Sequence, residues 1–328
     1  MGDSQTDNGN NNFLSTQAKV NYLPYGIDYP DGPSGRFSNG RNVPDFLAEY
    51  LGFEKPIPPF ANAKGREILK GVNYASGGAG ILDDTGKALG DRISLNMQLR
   101  NHYTTAFKIA LLLGNATLAR YRLNKCLYIV NMGNNDYLNN YLQPKYYRTS
   151  TLYTPQEYAA FLIKQYSMQL RTLYEYGARK IVVYEVATLG CLPEVLSITK
   201  PTNNKSSCDD SINNAMQLFN NGLKTLIDTL NTNLTDAQFI LINATSISLV
   251  NYTALGIKVG NAPCCLVSDH PGGLCDPGKD PCSNRNEYAF WDNYHFSEVV
   301  NRATAARAYN ATLPTDAYPF DIRRLVRN

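Results

Sequence analysis

Four short blocks of this chain carry residue types that can do acyl chemistry. Gly2-Asp3-Ser4 opens an Asn- and Gly-rich run that reaches Asn12. A serine in a Gly-flanked turn at a strand end can project its hydroxyl into a crevice, which a nucleophile requires. Near the other end, Trp291-Asp292-Asn293-Tyr294-His295 sets an acid and a histidine three residues apart. There a carboxylate can hold one imidazole tautomer while the other ring nitrogen faces a hydroxyl. The remaining blocks, NYASGGAG from Asn73 to Gly80 and NMGNNDY from Asn131 to Tyr137, each follow an expected strand. Gly-rich strand ends expose backbone N–H groups and Asn supplies a side-chain amide, the donors that an oxyanion needs. Taken singly, each block also has a structural reading as a helix cap or a strand-to-helix turn.

The elements that must carry these blocks follow from periodicity. Val43 to Leu51 has helical spacing and stops at Gly52. Ile68 to Ala75 reads as a short strand, Leu95 to Leu123 as one long or broken helix, and Cys126 to Asn131 as a buried strand. Thr154, with Glu157 three residues on, is a capping box for a helix reaching Tyr176 and stopped by Gly177. Lys180 to Val186 is a parallel-strand candidate, Asp209 to Leu230 an amphipathic helix, and Gln238 to Asn243 another strand. Strands alternating with helices argue for an α/β protein whose parallel sheet is covered on both faces. Ligands of such sheets gather outside the carboxyl ends of the strands. No repeat, linker or composition shift divides the chain, so residues 1–328 read as one domain, with a loosely packed tail over 314–328.

Composition narrows the partners. The 31 basic and 28 acidic residues leave +3 with no basic block, so there is no nucleic-acid footprint. No stretch approaches the roughly 18 apolar residues of a membrane span, which predicts a soluble protein without stable membrane insertion. Of seven cysteines, six (Cys191, Cys208, Cys264, Cys265, Cys275, Cys282) sit mostly in loop-like Gly/Pro/Asp-rich segments. No histidine joins them at metal-finger spacing, so disulfides are expected rather than metal. The odd one, Cys126, reads as a buried free thiol in a strand. Glycosylation sequons at Asn115, Asn204, Asn233, Asn243, Asn251 and Asn310 point, with the cysteines, to the secretory pathway. His102 reads as surface or partly packed, His270 as a turn residue, and Asp136 as a brace for the Asn135 turn.

In this order and at these spacings the four blocks resemble the plant GDSL esterase/lipase family of the SGNH hydrolase superfamily. The likeness spans the chain: GPSGRFSNGR, GVNYASGGAGI, TPQEYAAFL, YGARKIVVYEVATLGCLP and the cysteine-rich stretch ending in EYAFWDNYH all resemble family positions. The resemblance implies a three-layer α/β/α sandwich around a flavodoxin-like parallel sheet. It implies Ser4 as nucleophile, His295 as general base and acid, and Asp292 as the residue that orients His295. The implied oxyanion hole is the backbone N–H of Ser4, the backbone N–H of Gly78 and the amide of Asn135, with Gly77 the alternative to Gly78. The reaction implied is cleavage of carboxylic esters (lipid, acetyl or phenolic, small or polymer-linked) with no metal or organic cofactor, by a secreted, extracellular monomer. An acyltransferase with the same triad and a non-catalytic apoplastic binding protein are the alternative readings. Cys191 with Cys208 is the pairing that the resemblance favours, leaving two bridges among Cys264, Cys265, Cys275 and Cys282.

Three departures stand out. Gln5 replaces the leucine of the family's name, and Phe296 replaces the proline usual after the histidine, which is expected to loosen the turn that aims His295. In the family an apolar strand runs into Gly-Asp-Ser, whereas here only Met1 precedes it. A central strand of about five residues is therefore expected to be missing, at a cost to folding and catalysis.

Overall fold

The computed structural model describes residues 1–198, 208–248, 251–268 and 272–327; His270 and Asn204 lie outside them. The strands are β1 (Leu127–Val130), β2 (Lys180–Tyr184), β3 (Gln238–Ile242), β4 (Val259–Pro263), β5 (Tyr288–Phe290) and β6 (Ala317–Tyr318). The helices are α1 (Val43–Tyr50), α2 (Leu95–Leu113), α3 (Ala116–Lys125), α4 (Asn134–Asp136), α5 (Thr149–Leu152), α6 (Pro155–Glu175), α7 (Pro193–Ile198), α8 (Asp210–Asn233), α9 (Ala244–Ser248), α10 (Glu298–Tyr309) and α11 (Ile322–Arg327).

The main sheet has the order β1-β2-β3-β6. β1, β2 and β3 are parallel, with Leu127 opposite Lys180 and Lys180 opposite Gln238. The expected all-parallel sheet is corrected at its edge, where β6 runs antiparallel to β3. Side chains alternate with the two-residue period of a pleat buried on both faces. Ile181, Val183, Phe239 and Leu241 pack with Leu99 of α2, Leu162 and Tyr166 of α6, and Phe219 and Leu223 of α8. Val182, Tyr184, Ile240 and Ile242 pack with Phe46 and Leu47 of α1, Ala305 and Ala308 of α10, and Ile322 and Leu325 of α11. The chain is thus an α/β protein with a mixed, mostly parallel sheet between two helical faces.

Local signals explain the helix boundaries. Thr154 and Glu157 form the reciprocal cap of α6, and Asn42 and Asp45 do the same for α1. The 95–123 segment breaks where Gly114 turns left-handed (φ 60°) and Asn115 caps α3. Three expectations fail. Residues 68–75 form no strand: Gly65–Leu69 is a 3-10 turn whose Ile68 docks with Ile109 and Leu123, and Gly71 (φ 152°) interrupts the extended run. The expected loose tail, over its described residues 314–327, is not loose, because Ile322 and Leu325 of α11 are completely buried. Cys126 is exposed rather than buried, since it caps α3 one residue before β1 begins.

Residues 1–3 join the sheet just beyond β1. Asn131 N–H donates to the Met1 carbonyl (3.2 Å) and Asp3 N–H to the Asn131 carbonyl (3.2 Å), while Ser76 N–H donates to the Gly2 carbonyl from the other side (3.1 Å). The side-chain amide of Gln98 closes the arrangement by accepting from Gly2 N–H and donating to its carbonyl, both at 2.8 Å. The close packing requires glycine at position 2: a Cβ there would lie 2.2 Å from Thr6 Oγ1 and 2.7 Å from the Asn131 carbonyl.

A separate two-stranded sheet, β4 with β5, carries the cysteine-rich segment. Its bridges are Cys264–Cys282 and Cys265–Cys275, and Cys191–Cys208 closes the loop ahead of α8.

Candidate active site

Ser4 and His295, 291 positions apart in the chain, meet over the carboxyl ends of the parallel strands. Ser4 Oγ lies 2.8 Å from His295 Nε2. On the other side of the ring, His295 Nδ1 lies 2.9 and 2.8 Å from the two oxygens of Asp292. The Asp292 carboxylate is completely buried and also accepts the backbone N–H groups of Tyr294 and His295, each at 2.8 Å. These local bonds curl residues 292–295 into the turn that aims the imidazole.

Phe296 does not loosen that turn. It pairs with Phe290 in an antiparallel bridge and stacks on it with centroids 4.9 Å apart. Trp291 backbone N–H also donates to the His295 carbonyl at 2.7 Å, closing the loop. Phe37 covers the imidazole at 4.8 Å.

The serine turn is braced by residues that sequence reasoning passed over. Asp3 accepts Gln5 N–H (3.0 Å) and the Asn134 side-chain amide (2.9 Å), while Asn134 Oδ1 accepts Ala187 N–H (3.1 Å) after β2. Burial pushes the Asp3 carboxyl above its ordinary value. Gln5 donates to the Tyr294 carbonyl at 3.2 Å, tying the serine turn to the histidine loop. Asn134 stood in a block already singled out, but no local signal ranked it above Asn135.

Gly78 and Asn135 line the same cavity, of about 370 Å³, as Ser4 and His295. Among the described residues, the N–H groups of Ser4 and Gly78 meet no acceptor. Gly77 differs: its N–H goes to Asp7 Oδ2 at 3.2 Å, so at the doublet it is Gly78 that presents a spare donor. Asn135 spends one amide hydrogen on the Ala79 carbonyl (2.9 Å) and accepts from Asn139 (2.6 Å), leaving its second amide hydrogen available. Two buried carboxylates shape these loops. Asp7 takes Gly9, Asn10 and Gly77 N–H, and Asp136 takes Ile81 and Leu82 N–H and the Thr85 hydroxyl. Desolvation raises both to about 6. Asp136, at the end of α4, therefore braces the loop after the Gly-rich block through Ile81, Leu82 and Thr85.

The cavity walls are largely apolar and include Leu89, Leu138, Leu192, Ile242, Ile247 and Val300. Of the many tyrosines, Tyr184, Tyr252 and Tyr294 line it, whereas Tyr137, Tyr158 and Tyr166 belong to the core. His102 is buried, not at the surface, between Tyr74 and Tyr128, and burial holds it at about 4. Among the described residues no cluster of His, Cys, Asp or Glu could hold a metal ion. No helix of the described residues is long and apolar enough to cross a membrane.

An alcohol, an imidazole and a buried carboxylate thus stand in series beside unpaired N–H groups in one cavity of an α/β protein. The chain belongs to the GDSL-like lipase/acylhydrolase family, which matches residues 1–308. It is 48% identical to GDSL esterase/lipase At1g29670 of Arabidopsis thaliana, over 100% of this chain and 90% of the relative. Identity to GDSL esterase/lipase At5g45670 of the same plant is 44%, over 99% and 90% of the two chains. The protein is accordingly a carboxylic ester hydrolase.

Proposed function

We propose that the protein cleaves carboxylic esters through an acyl-enzyme on Ser4. His295 Nε2 takes the Ser4 proton as the oxygen attacks the ester carbonyl, and the carbonyl π electrons move to oxygen. The resulting oxyanion is received by Ser4 N–H, Gly78 N–H and the Asn135 amide. His295 then returns the proton to the departing alcohol, and water repeats the sequence to release the acid. Asp292 holds the tautomer with Nδ1 protonated and stabilises the imidazolium.

The observation that carries this reading is the 2.8 Å contact between Ser4 Oγ and His295 Nε2, made in the cavity that the three spare donors share. The apolar walls favour esters with an acyl or aromatic portion, such as lipid, acetyl or phenolic esters. The helices on both faces of the sheet support the three-layer SGNH arrangement. Three disulfides and exposed sequons at Asn115, Asn233, Asn251 and Asn310 support secretion to the extracellular space. Hydrolysis of short p-nitrophenyl esters by the wild type and by Ser4→Ala tests the mechanism. Turnover and labelling by a serine-directed phosphonate are expected in the wild type only, and a Ser4→Ala variant that turns over normally would end the proposal.

A further inference from the structure

Asp292 has a partner that the ester-cleaving mechanism does not use. Tyr25, completely buried, donates its hydroxyl to Asp292 Oδ2 at 2.5 Å. A hydroxyl has one proton to give, so this bond commits it, and the Tyr25 oxygen in turn accepts Cys275 N–H at 3.1 Å. Cys275 is covalently joined to Cys265, and Cys265 N–H donates to the carbonyl of Trp291 at 3.0 Å. Trp291 immediately precedes Asp292. The contacts therefore close a ring: from the Asp292 carboxylate through Tyr25 to Cys275, across the disulfide to Cys265, and back to the backbone beside Asp292.

We infer that Tyr25 is a positioning residue for the Asp292–His295 pair, and that the Cys265–Cys275 bridge acts on the active site by holding Tyr25 in place. The inference rests on the triad reading above. The carboxylate's local contacts, from Tyr294, His295 and the imidazole, all come from its own turn, so they cannot fix that turn relative to the rest of the protein. Tyr25 and the cystine loop supply the fixed reference that acts on the carboxylate itself, whereas Gln5 and Glu194 hold the turn at Tyr294 and Asn293. Tyr22 adds to it by donating to the Cys275 carbonyl at 3.0 Å and packing edge-on against Tyr25 at 5.4 Å. A hydrogen bond to a carboxylate also draws off negative charge, so the Tyr25 hydroxyl shares the Asp292 charge that faces the imidazole.

The direction of the pH effect follows. In Tyr25→Phe the carboxylate loses a donor and faces the imidazole with more charge, so imidazolium is stabilised and the acid limb of kcat/KM moves to higher pH. The other ionisable groups facing the pair, Asp3, Tyr22 and Tyr294 with Glu194 behind it, are unchanged in this variant. A role in packing alone, which the phenyl ring preserves, would move neither the rate nor the profile.

The test is a cycle on the secreted full chain. Tyr25→Phe, the paired variant Cys265→Ala/Cys275→Ala and their combination are compared by kcat and by pH profile, with melting temperature as a check on folding. Tyr25→Phe is expected to lower kcat by roughly tenfold and to move the acid limb to higher pH. The bridge variant is expected to reproduce both changes and to add less than about twofold when Tyr25 is already Phe. A folded Tyr25→Phe enzyme within twofold of wild type and with an unmoved acid limb would overturn the inference, as would losses that multiply independently. If the bridge variant does not fold, the Tyr25→Phe arm decides alone. Failure of the triad reading looks different, because Ser4→Ala would then retain turnover whatever Tyr25 does.

Discussion

Replacing Asn135 with alanine isolates the one proposed oxyanion donor that comes from a side chain. The amide has two hydrogens, one given to the Ala79 carbonyl at 2.9 Å and one left to face the cavity. The second is the one assigned to the oxyanion, which exists in the transition state and not in the ground-state ester. Loss of one such donor costs about 2.7 to 4 kcal/mol, or roughly a hundred- to a thousandfold in kcat, with KM little changed. The truncation has a structural cost too. The Ala79 carbonyl and the Asn139 amide each lose their partner, about 1 kcal/mol or more of stability apiece, which lowers the melting temperature without unfolding the chain. Steady-state kinetics on p-nitrophenyl butyrate, with a thermal melt on the same sample, separate the two costs. A folded Asn135→Ala enzyme with kcat within about threefold of wild type would refute the reasoning, because the remaining N–H donors would then be sufficient.

Two further perturbations follow from the geometry. Gly2→Ala forces a Cβ to within 2.2 Å of Thr6 Oγ1 and 2.7 Å of the Asn131 carbonyl, so the serine turn must move. Esterase activity is expected to fall at least tenfold with a lower melting temperature, as overpacking costs about 1–3 kcal/mol; an unchanged melt and rate would contradict the packing described. Glu185, on the cavity wall at the end of β2, is raised from 4.5 to about 7 by burial. An unfolded glutamate ionises first as pH rises, so this group lowers the stability of the fold progressively between about pH 4.5 and 7 and by a constant amount above that. Glu185→Gln should therefore be neutral at pH 4 and stabilising at pH 8, by at most about 3 kcal/mol and nearer 1 once water in the cavity screens the charge. An equal difference in melting temperature at both pH values would show that ionisation is not the cause.

The long helices and three parallel strands were legible because their signals are local: capping pairs, a glycine stop after α6, runs with the right period. The failures mark places where the signal is tertiary. Residues 68–75 have strand-like composition, yet no neighbouring edge takes them over their whole length, and Ile68 instead docks on α2 and α3. The two residues of β6 are too few for a pattern, and their antiparallel pairing with β3 depends on α11 burying Ile322 and Leu325 against the sheet. Cys126 was misplaced by one residue, which at the boundary of a helix and a strand is the difference between inside and outside.

For the site, the sequence determined the candidates Ser4, Asp292 and His295, whose roles the family resemblance implies. Ser4 sits in a glycine-flanked turn, and Asp292 and His295 share a turn whose three-residue spacing lets backbone N–H groups and imidazole converge on one carboxylate. Such chemistry is encoded by near neighbours and survives any view of the chain as a string. Only the tertiary structure decided which of two adjacent glycines has a free N–H, because the competitor, Asp7, reaches Gly77 from 70 positions away. Only it brought Tyr25 to Asp292 across 267 positions, and Gln5 to Tyr294 across 289. Those bonds are formed by the burial of the apolar faces that fold the sheet and its helices together. Their partners are therefore chosen by the packing of the whole, which no local pattern records.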